Sequence, residues 1–162
     1  MPKKPTSTQS NDGFSLTEVL IATSLIGILS SIALPNYTNQ MRRTRQREAM
    51  TIVTQVMTQT AFHFDEYSTN AEGWDDLNDV AAVMTDTGTA SGDTFTSITL
   101  PGANYTLEVN RESNDYIITA SPTDTNANGF NVLGCINVST QANNIQAGDG
   151  TRAAVEADLT CP

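Results

Sequence analysis

Basic and aromatic residues are scarce in most of this 162-residue chain. It has one histidine, 6% aromatic residues, and only Arg111 and Arg152 as basic residues beyond Arg47. All of its eighteen Asp and Glu residues except Asp12 and Glu18 lie beyond Arg47. The part of the chain beyond Arg47 is therefore strongly acidic and repels phosphates, which excludes general nucleic-acid binding. Its net charge favours solubility. The sequence contains no nucleophile–base set, phosphate loop or metal-ligand cluster. We therefore predict no catalytic residue, no metal site and no cofactor.

Cysteine is also rare, since the chain contains only Cys135 and Cys161, both near the C-terminus. In an oxidising compartment a bond between them would close a loop of about 26 residues and contribute roughly 3 kcal/mol. The alternative is a pair of free buried thiols in a cytosolic protein. The choice depends on where the C-terminal part of the chain resides.

The N-terminal region indicates that location. Residues 1–13 are polar and include Lys3 and Lys4, whereas Phe14 to Leu34 is an apolar run with a single charge, Glu18. A helix of about 21 residues is roughly 31 Å long, which matches the hydrocarbon core of a bilayer. The two lysines favour a cytoplasmic N-terminus. The C-terminal body is then outside the cytoplasm, which favours the disulfide.

The polar-to-apolar junction at Gly13-Phe14 differs from a secretory signal, which is cut after its apolar stretch. A cut at this junction would leave the apolar helix on the mature protein. Glu18 is costly inside a membrane without a partner, and a free amine on Phe14, one turn away, could neutralise it. The alternative is that Glu18 lies at headgroup level in a simple membrane anchor.

Residues 13–20, GFSLTEVL, resemble the cleavage and methylation motif of type IV prepilins and related pseudopilins, and residues 33–37, ALPNY, are also typical of that family. The resemblance implies that a prepilin peptidase cuts between Gly13 and Phe14. It implies N-methylation of Phe14. It further implies that Glu18 pairs with the Phe14 amine of an adjacent subunit during assembly.

Two helix-weakening residues, Gly27 and Pro35, lie within or just after the apolar run. Membrane helices often tolerate both. In the family that the chain resembles, the segment between these positions can lose helical order in the filament. The resemblance therefore implies a role for Gly27 and Pro35 in filament extensibility.

The remaining pattern predicts an α+β protein with the type IV pilin fold. Apolar residues recur at helical spacing from Ala49 to Phe64, so one long helix is expected over residues 14–65 with a bend at Pro35. Strand patterns separated by turns follow, and they predict a four-stranded antiparallel sheet that packs on the helix. By resemblance, a disulfide-bounded C-terminal region covers the sheet. The predicted organisation is a leader (1–13), a long helix (14–65, with 14–34 crossing the membrane), a connecting loop (66–94), and a sheet with the disulfide region (95–162).

Two polar segments allow alternative interpretations. Residues 124–129, DTNANG, resemble the start of a calcium loop, but the closing Glu is absent and a turn between strands explains the same residues. The arginines at 42, 43, 45 and 47 are either a solvated helix face or contacts to headgroups and acidic neighbours.

The predicted function is a structural subunit of an extracellular type IV pilus, not an enzyme. Expected partners are copies of itself in a homo-oligomeric filament, the prepilin peptidase, the pilus assembly machinery and, before assembly, the bacterial inner membrane. One alternative is a pseudopilin of a type II secretion or DNA-uptake system. A membrane-anchored binding protein is the alternative from another class. Adhesion, twitching motility and DNA uptake are the roles open to such a filament.

Overall fold

The computed structural model describes residues 13–161, in two compact units that comprise residues 13–38 and 39–161. The predicted leader, apart from Gly13, lies outside the described residues, as do Lys3 and Lys4. The helix α1 spans Leu16–Tyr67. A long N-terminal helix is therefore confirmed.

In the second unit, α1 packs against a sheet through the apolar stripe that its sequence predicts. Ala49, Val53, Val56 and Met57 are buried, and they join a core formed with side chains from the strands. Gly134 allows the helix to approach the sheet closely. A Cβ atom at this position would lie 2.6 Å from Val53 Cγ1. This close contact leaves no room for a side chain.

The sheet has five antiparallel strands in the order β3-β4-β5-β6-β7. Their bounds are β3 Ile98–Thr99, β4 Tyr105–Glu112, β5 Asp115–Pro122, β6 Val132–Asn137 and β7 Asn143–Ala147. Sequential strands are neighbours, as short connections between them predict.

The predicted four strands are thus one too few. The additional strand, β7, has the sequence NNIQA, which lacks the β-branched and aromatic content of a typical strand. Pairing with the buried β6 holds it in the sheet, with Ile145 opposite Gly134. Neighbouring structure rather than local propensity therefore makes this segment a strand.

The segment between helix and sheet contains the short helix α2, Trp74–Asn78, and a hairpin of β1, Met84–Thr85, with β2, Gly88–Thr89. The α2 residue Trp74 is fully buried, and its Nε1 donates a hydrogen bond to Thr96 O at 2.9 Å. Phe95 packs edge-on against the Trp74 ring with 5.2 Å between centroids. Phe95 and Thr96 thus contact Trp74, and strand β3 is limited to Ile98–Thr99.

Cys135 of β6 and Cys161 form the predicted disulfide, with 6.1 Å between their Cα atoms. Cys135 is buried, and the bond connects the end of the described chain to an interior strand of the sheet. The segment between the two cysteines carries β7.

Reduction of this disulfide is expected to lower the free energy of unfolding by about 3 kcal/mol, because the unfolded chain regains the entropy of an open 26-residue loop. Thermal unfolding of the purified protein with and without reductant measures the change. The Cys135→Ser/Cys161→Ser double variant provides the control, because reductant should leave its melting temperature unchanged. An equal melting temperature for the oxidised and reduced wild type would contradict the prediction.

Candidate assembly site

Gly13 and Phe14 lie just before α1 and are exposed, Phe14 to 89%. A Cβ added to Gly13 would meet no atom within 4 Å. This differs from Gly134, where neighbouring side chains exclude a Cβ. Neither packing nor a close contact in the described chain therefore requires glycine at position 13.

Glu18 lies in the first turn of α1 and contacts the backbone just before the helix. Its Oε2 accepts a hydrogen bond from the Ser15 N–H at 2.9 Å, whereas Oε1 has no hydrogen-bond partner among residues 13–161. A glutamate at this position satisfies a free N–H group and interacts favourably with the helix dipole. Residues 15–18 have the S-x-x-E pattern of a capping box, a signal that the sequence interpretation of Glu18 missed.

The hydrogen bond between Glu18 and Ser15 leaves room for the predicted amine partner of Glu18. In the uncut chain the nitrogen of Phe14 is a peptide N–H and carries no charge. A cut after Gly13 would create a free amine one residue from the N–H that Glu18 already contacts. One carboxylate can accept hydrogen bonds through both oxygens. Glu18 can therefore keep the Ser15 contact and offer Oε1 to an amine.

The first unit exposes a long apolar surface. Large side chains from Leu16 to Leu34 are more than half exposed. Several hydroxyls on this stretch donate to their own helix, including those of Thr23, Ser24 and Ser31. An exposed apolar surface of this extent indicates a membrane or a protein interface. By length and composition, α1 is suited to cross a membrane.

Gly27 and Pro35 both lie within helical residues of α1. A Cβ added to Gly27 would meet no atom within 4 Å, and Pro35 lacks the N–H that would continue the hydrogen-bond ladder. Their predicted effect on filament extensibility concerns the assembled state and stays a prediction.

Two arginines of the basic segment contact the body of the second unit. Arg42 forms an ion pair with Asp124 at 3.2 Å, and Arg43 donates a hydrogen bond to the backbone carbonyl of Asp149 at 3.3 Å. The pKa of Asp124 is lowered mainly by a hydrogen bond from the Asn126 N–H and additionally by Arg42. Asp124 caps a short 3-10 helix, Thr125–Phe130, which connects β5 to β6.

A buried polar cluster lies close to these arginines in the sequence. Gln46 Nε2 donates to the carbonyls of Asn131 at 3.2 Å and Gly148 at 2.7 Å. The Asn131 side chain exchanges two hydrogen bonds with the backbone of Ala154. These bonds connect α1, the sheet and the C-terminal segment. The sequence gives little signal for them, because isolated Gln and Asn residues are usually exposed.

The turn after Gly148 is organised by Asp149. Its Oδ1 accepts hydrogen bonds from the backbone N–H groups of Arg152 and Thr151, and from the Thr151 hydroxyl. These donors favour the charged carboxylate and lower the pKa of Asp149 to about 2, compared with 3.8 for the free group. The carboxylate therefore stabilises the fold fully only above the unfolded pKa, and the stabilisation is lost as the pH falls through about 2.

Replacement of Asp149 with alanine is expected to lower the melting temperature at neutral pH and to have progressively less effect below about pH 4. Melting curves of both proteins across this pH range measure the difference. The exposed Asp86, whose side chain accepts no hydrogen bond within residues 13–161, gives the control variant Asp86→Ala. A difference between Asp149→Ala and wild type that is constant down to pH 2 would contradict this role.

The sequence of the first unit matches a known motif. The prokaryotic N-terminal methylation motif matches residues 9–34. Over 56 residues the chain is 39% identical to the type IV major pilin protein PilA of Myxococcus xanthus, a stretch that covers 35% of this chain. Together these matches support a type IV pilin.

The chain spans about a quarter of the length of that curated pilin, because the match covers 26% of the relative. No solved structure matches the chain significantly. The long helix, the antiparallel sheet and the disulfide near the C-terminus are consistent with the pilin fold. The matched motif and the similarity to a pilin support a subunit of the pilin or pseudopilin type. The matched motif includes Gly13, Phe14 and Glu18.

Proposed function

We propose that this chain is a structural subunit of an extracellular type IV pilus. A prepilin peptidase cuts it between Gly13 and Phe14, and the new Phe14 amine is methylated. Before assembly, residues 14–34 hold it in the bacterial inner membrane with the N-terminus in the cytoplasm. The assembly machinery then transfers it to the filament, where the apolar helices pack together.

The supporting observation is the combination of an exposed apolar segment of α1, residues 16–34, with one acid in its first turn. The exposed helix needs either lipid or other apolar helices as its surroundings. Glu18 needs a charge partner in such surroundings, since an unpaired carboxylate in a water-poor interior is costly. A positively charged chain end at Phe14 supplies that partner and fixes the register between neighbouring helices.

Gly13 supports the same proposal by a different route. The described chain leaves space for a side chain at position 13, so we infer that the glycine there serves recognition by the peptidase rather than the fold. Phe14, exposed next to it, is accessible as the new terminus.

Mechanical shearing of the producing cells tests the proposed function. We expect the chain in the sheared filament fraction, and labelled antibodies should decorate the filaments along their length. Deletion of its gene should remove those filaments. Finding the protein only in the cell envelope, with filaments unaffected by the deletion, would favour a pseudopilin or a membrane-anchored binding protein.

A further inference from the structure

A groove of about 750 Å³ runs along α1 in the second unit, from Arg47 to Phe62. It lies beside the face of α1 that packs on the sheet, and its opposite wall is the segment at Val80 and Ala81. The fifteen residue-to-residue steps from Arg47 to Phe62 in the helix correspond to a length of about 22 Å. The groove is therefore long enough for a short segment of another protein surface.

Two glutamines hold the wall of this groove in place. Gln59 Nε2 donates to Ala81 O at 3.1 Å, and Gln55 Nε2 donates to Ala82 O at 3.4 Å. Gln59 is buried, so its bond is shielded from water. The groove is thus formed within a single copy of the chain.

The lining of the groove favours an apolar occupant. The hydroxyls of Thr51, Thr54 and Thr58 donate to helix carbonyls four residues earlier and so use their donors within α1. Phe62, at one end, is 58% exposed, although it is a large apolar side chain. An apolar side chain placed here would be buried without displacing a hydrogen bond.

The other end of the groove carries a positive charge. Arg47 is exposed and forms no ion pair within residues 13–161, in contrast to Arg42, Arg111 and Arg152. A partner that fits this groove therefore combines an apolar side chain with a carboxylate.

The β1–β2 hairpin of the chain itself has this combination. Met84 is 52% exposed, and Asp86, two residues later, is exposed and forms no ion pair among the described residues. The hairpin and the groove are different surfaces, so a contact between them is heterologous. A heterologous contact that does not close into a ring generates a helical filament.

We propose that the groove between Arg47 and Phe62 binds the β1–β2 hairpin of a second copy of this chain, with Arg47 paired to Asp86 and Met84 in the apolar part. The proposal deepens the proposed filament function and rests on it. It assigns a subunit contact to the globular part of the chain, separate from the apolar helix.

Photo-crosslinking in producing cells tests the contact. A photoreactive amino acid replaces Thr54 in the full-length chain, and crosslinked peptides are identified by mass spectrometry. We expect a product that contains two copies of this chain, with the crosslink in residues 84–89. A product that contains lipid, another protein, or a different segment of this chain would overturn the proposal.

Charge reversal tests the predicted ion pair. Arg47→Glu and Asp86→Arg should each lower the crosslink yield about tenfold, and the double variant should restore most of it. Arg47→Lys should retain most of the yield. Arg45→Glu is the matched control and should leave the yield unchanged, because Arg45 is another exposed arginine of α1 that forms no ion pair within residues 13–161. Equal yields for wild type and Arg47→Glu, or no recovery in the double variant, would overturn the pairing.

The outcomes separate this contact from the proposed function. Filaments that contain the chain but give no crosslink to the hairpin would overturn the groove contact alone. A crosslink to the hairpin in cells without filaments would support the groove contact and overturn the pilus assignment. Because Arg47 is exposed, its substitution should leave the melting curve of the protein unchanged.

Discussion

The Glu18→Ala variant is expected to reduce the amount of assembled filament about a hundredfold or more, whereas cleavage of the leader continues. In the proposed filament, Glu18 and the Phe14 amine of a neighbouring copy pair in surroundings with little water. Removal of one partner from such a pair costs about 3–5 kcal/mol, because the other charge stays buried and unpaired. Quantification of the chain in the sheared fraction, relative to total processed protein, measures the effect.

The hydrogen bond from the Ser15 N–H to Glu18 provides a sharper control than alanine alone. Glu18→Gln keeps a side-chain oxygen that can accept this bond but removes the charge. We expect this variant to fail in assembly as well, since the amine needs a charged partner. Glu48→Ala, which removes an exposed acid elsewhere on α1, should assemble normally. Normal filaments from Glu18→Gln would show that helix capping, rather than charge pairing, is the role of this residue.

Gly13→Leu is expected to abolish leader cleavage, and the cells should accumulate precursor that retains residues 1–13. Since a side chain at position 13 meets no neighbour in the described chain, the substitution should leave the fold unchanged. The expected defect is therefore in recognition by the peptidase. Migration on a gel and intact mass measure the fraction of uncut chain.

Gly27→Ala is the matched control for this variant. Gly27 is another glycine of the first unit with open space around its Cβ position, and alanine favours the helix there. We expect normal cleavage of Gly27→Ala. Efficient cleavage of Gly13→Leu at the same bond would contradict the proposed recognition of Gly13.

The sequence was sufficient to predict the long helix. It also predicted that the first part of the helix is apolar throughout and that the second part packs on a sheet through one apolar face. The apolar run before Leu34 and the helical spacing after Ala49 are strong periodic signals over many residues, so tertiary context does not override them. The observed bounds, Leu16–Tyr67, differ from the expected 14–65 by two residues at each end. The disulfide was also predictable, because two cysteines in a body that is predicted to lie outside the cytoplasm have one possible pairing within the chain.

Features that depend on contacts with other parts of the fold were harder to predict from the sequence. Strand β7 has a polar sequence and becomes a strand because β6 offers a free edge beside it. Phe95 satisfies strand propensity but packs against Trp74, which shortens β3. Gln46 is buried because backbone carbonyls of Asn131 and Gly148 accept its hydrogen bonds. Asn131 and Gly148 lie 85 and 102 residues from Gln46 in the sequence, so no local pattern indicates these two contacts.

The candidate assembly site and the groove depend partly on local sequence patterns and partly on contacts between distant segments. The motif around Gly13 and Glu18 was evident from the sequence, and the S-x-x-E pattern of residues 15–18 also indicates the cap that the structure shows between Glu18 and Ser15. The groove beside α1 required the fold, because Val80 and Ala81 reach Arg47 to Phe62 only after the connecting segment has folded back.

N-terminal mass spectrometry of protein sheared from the cell surface tests the central claim most directly. We predict a chain that begins at Phe14 and carries the added mass of one methyl group on its terminal amine. A surface protein that still begins at Met1, or one that has lost the apolar segment 14–34, would contradict the account.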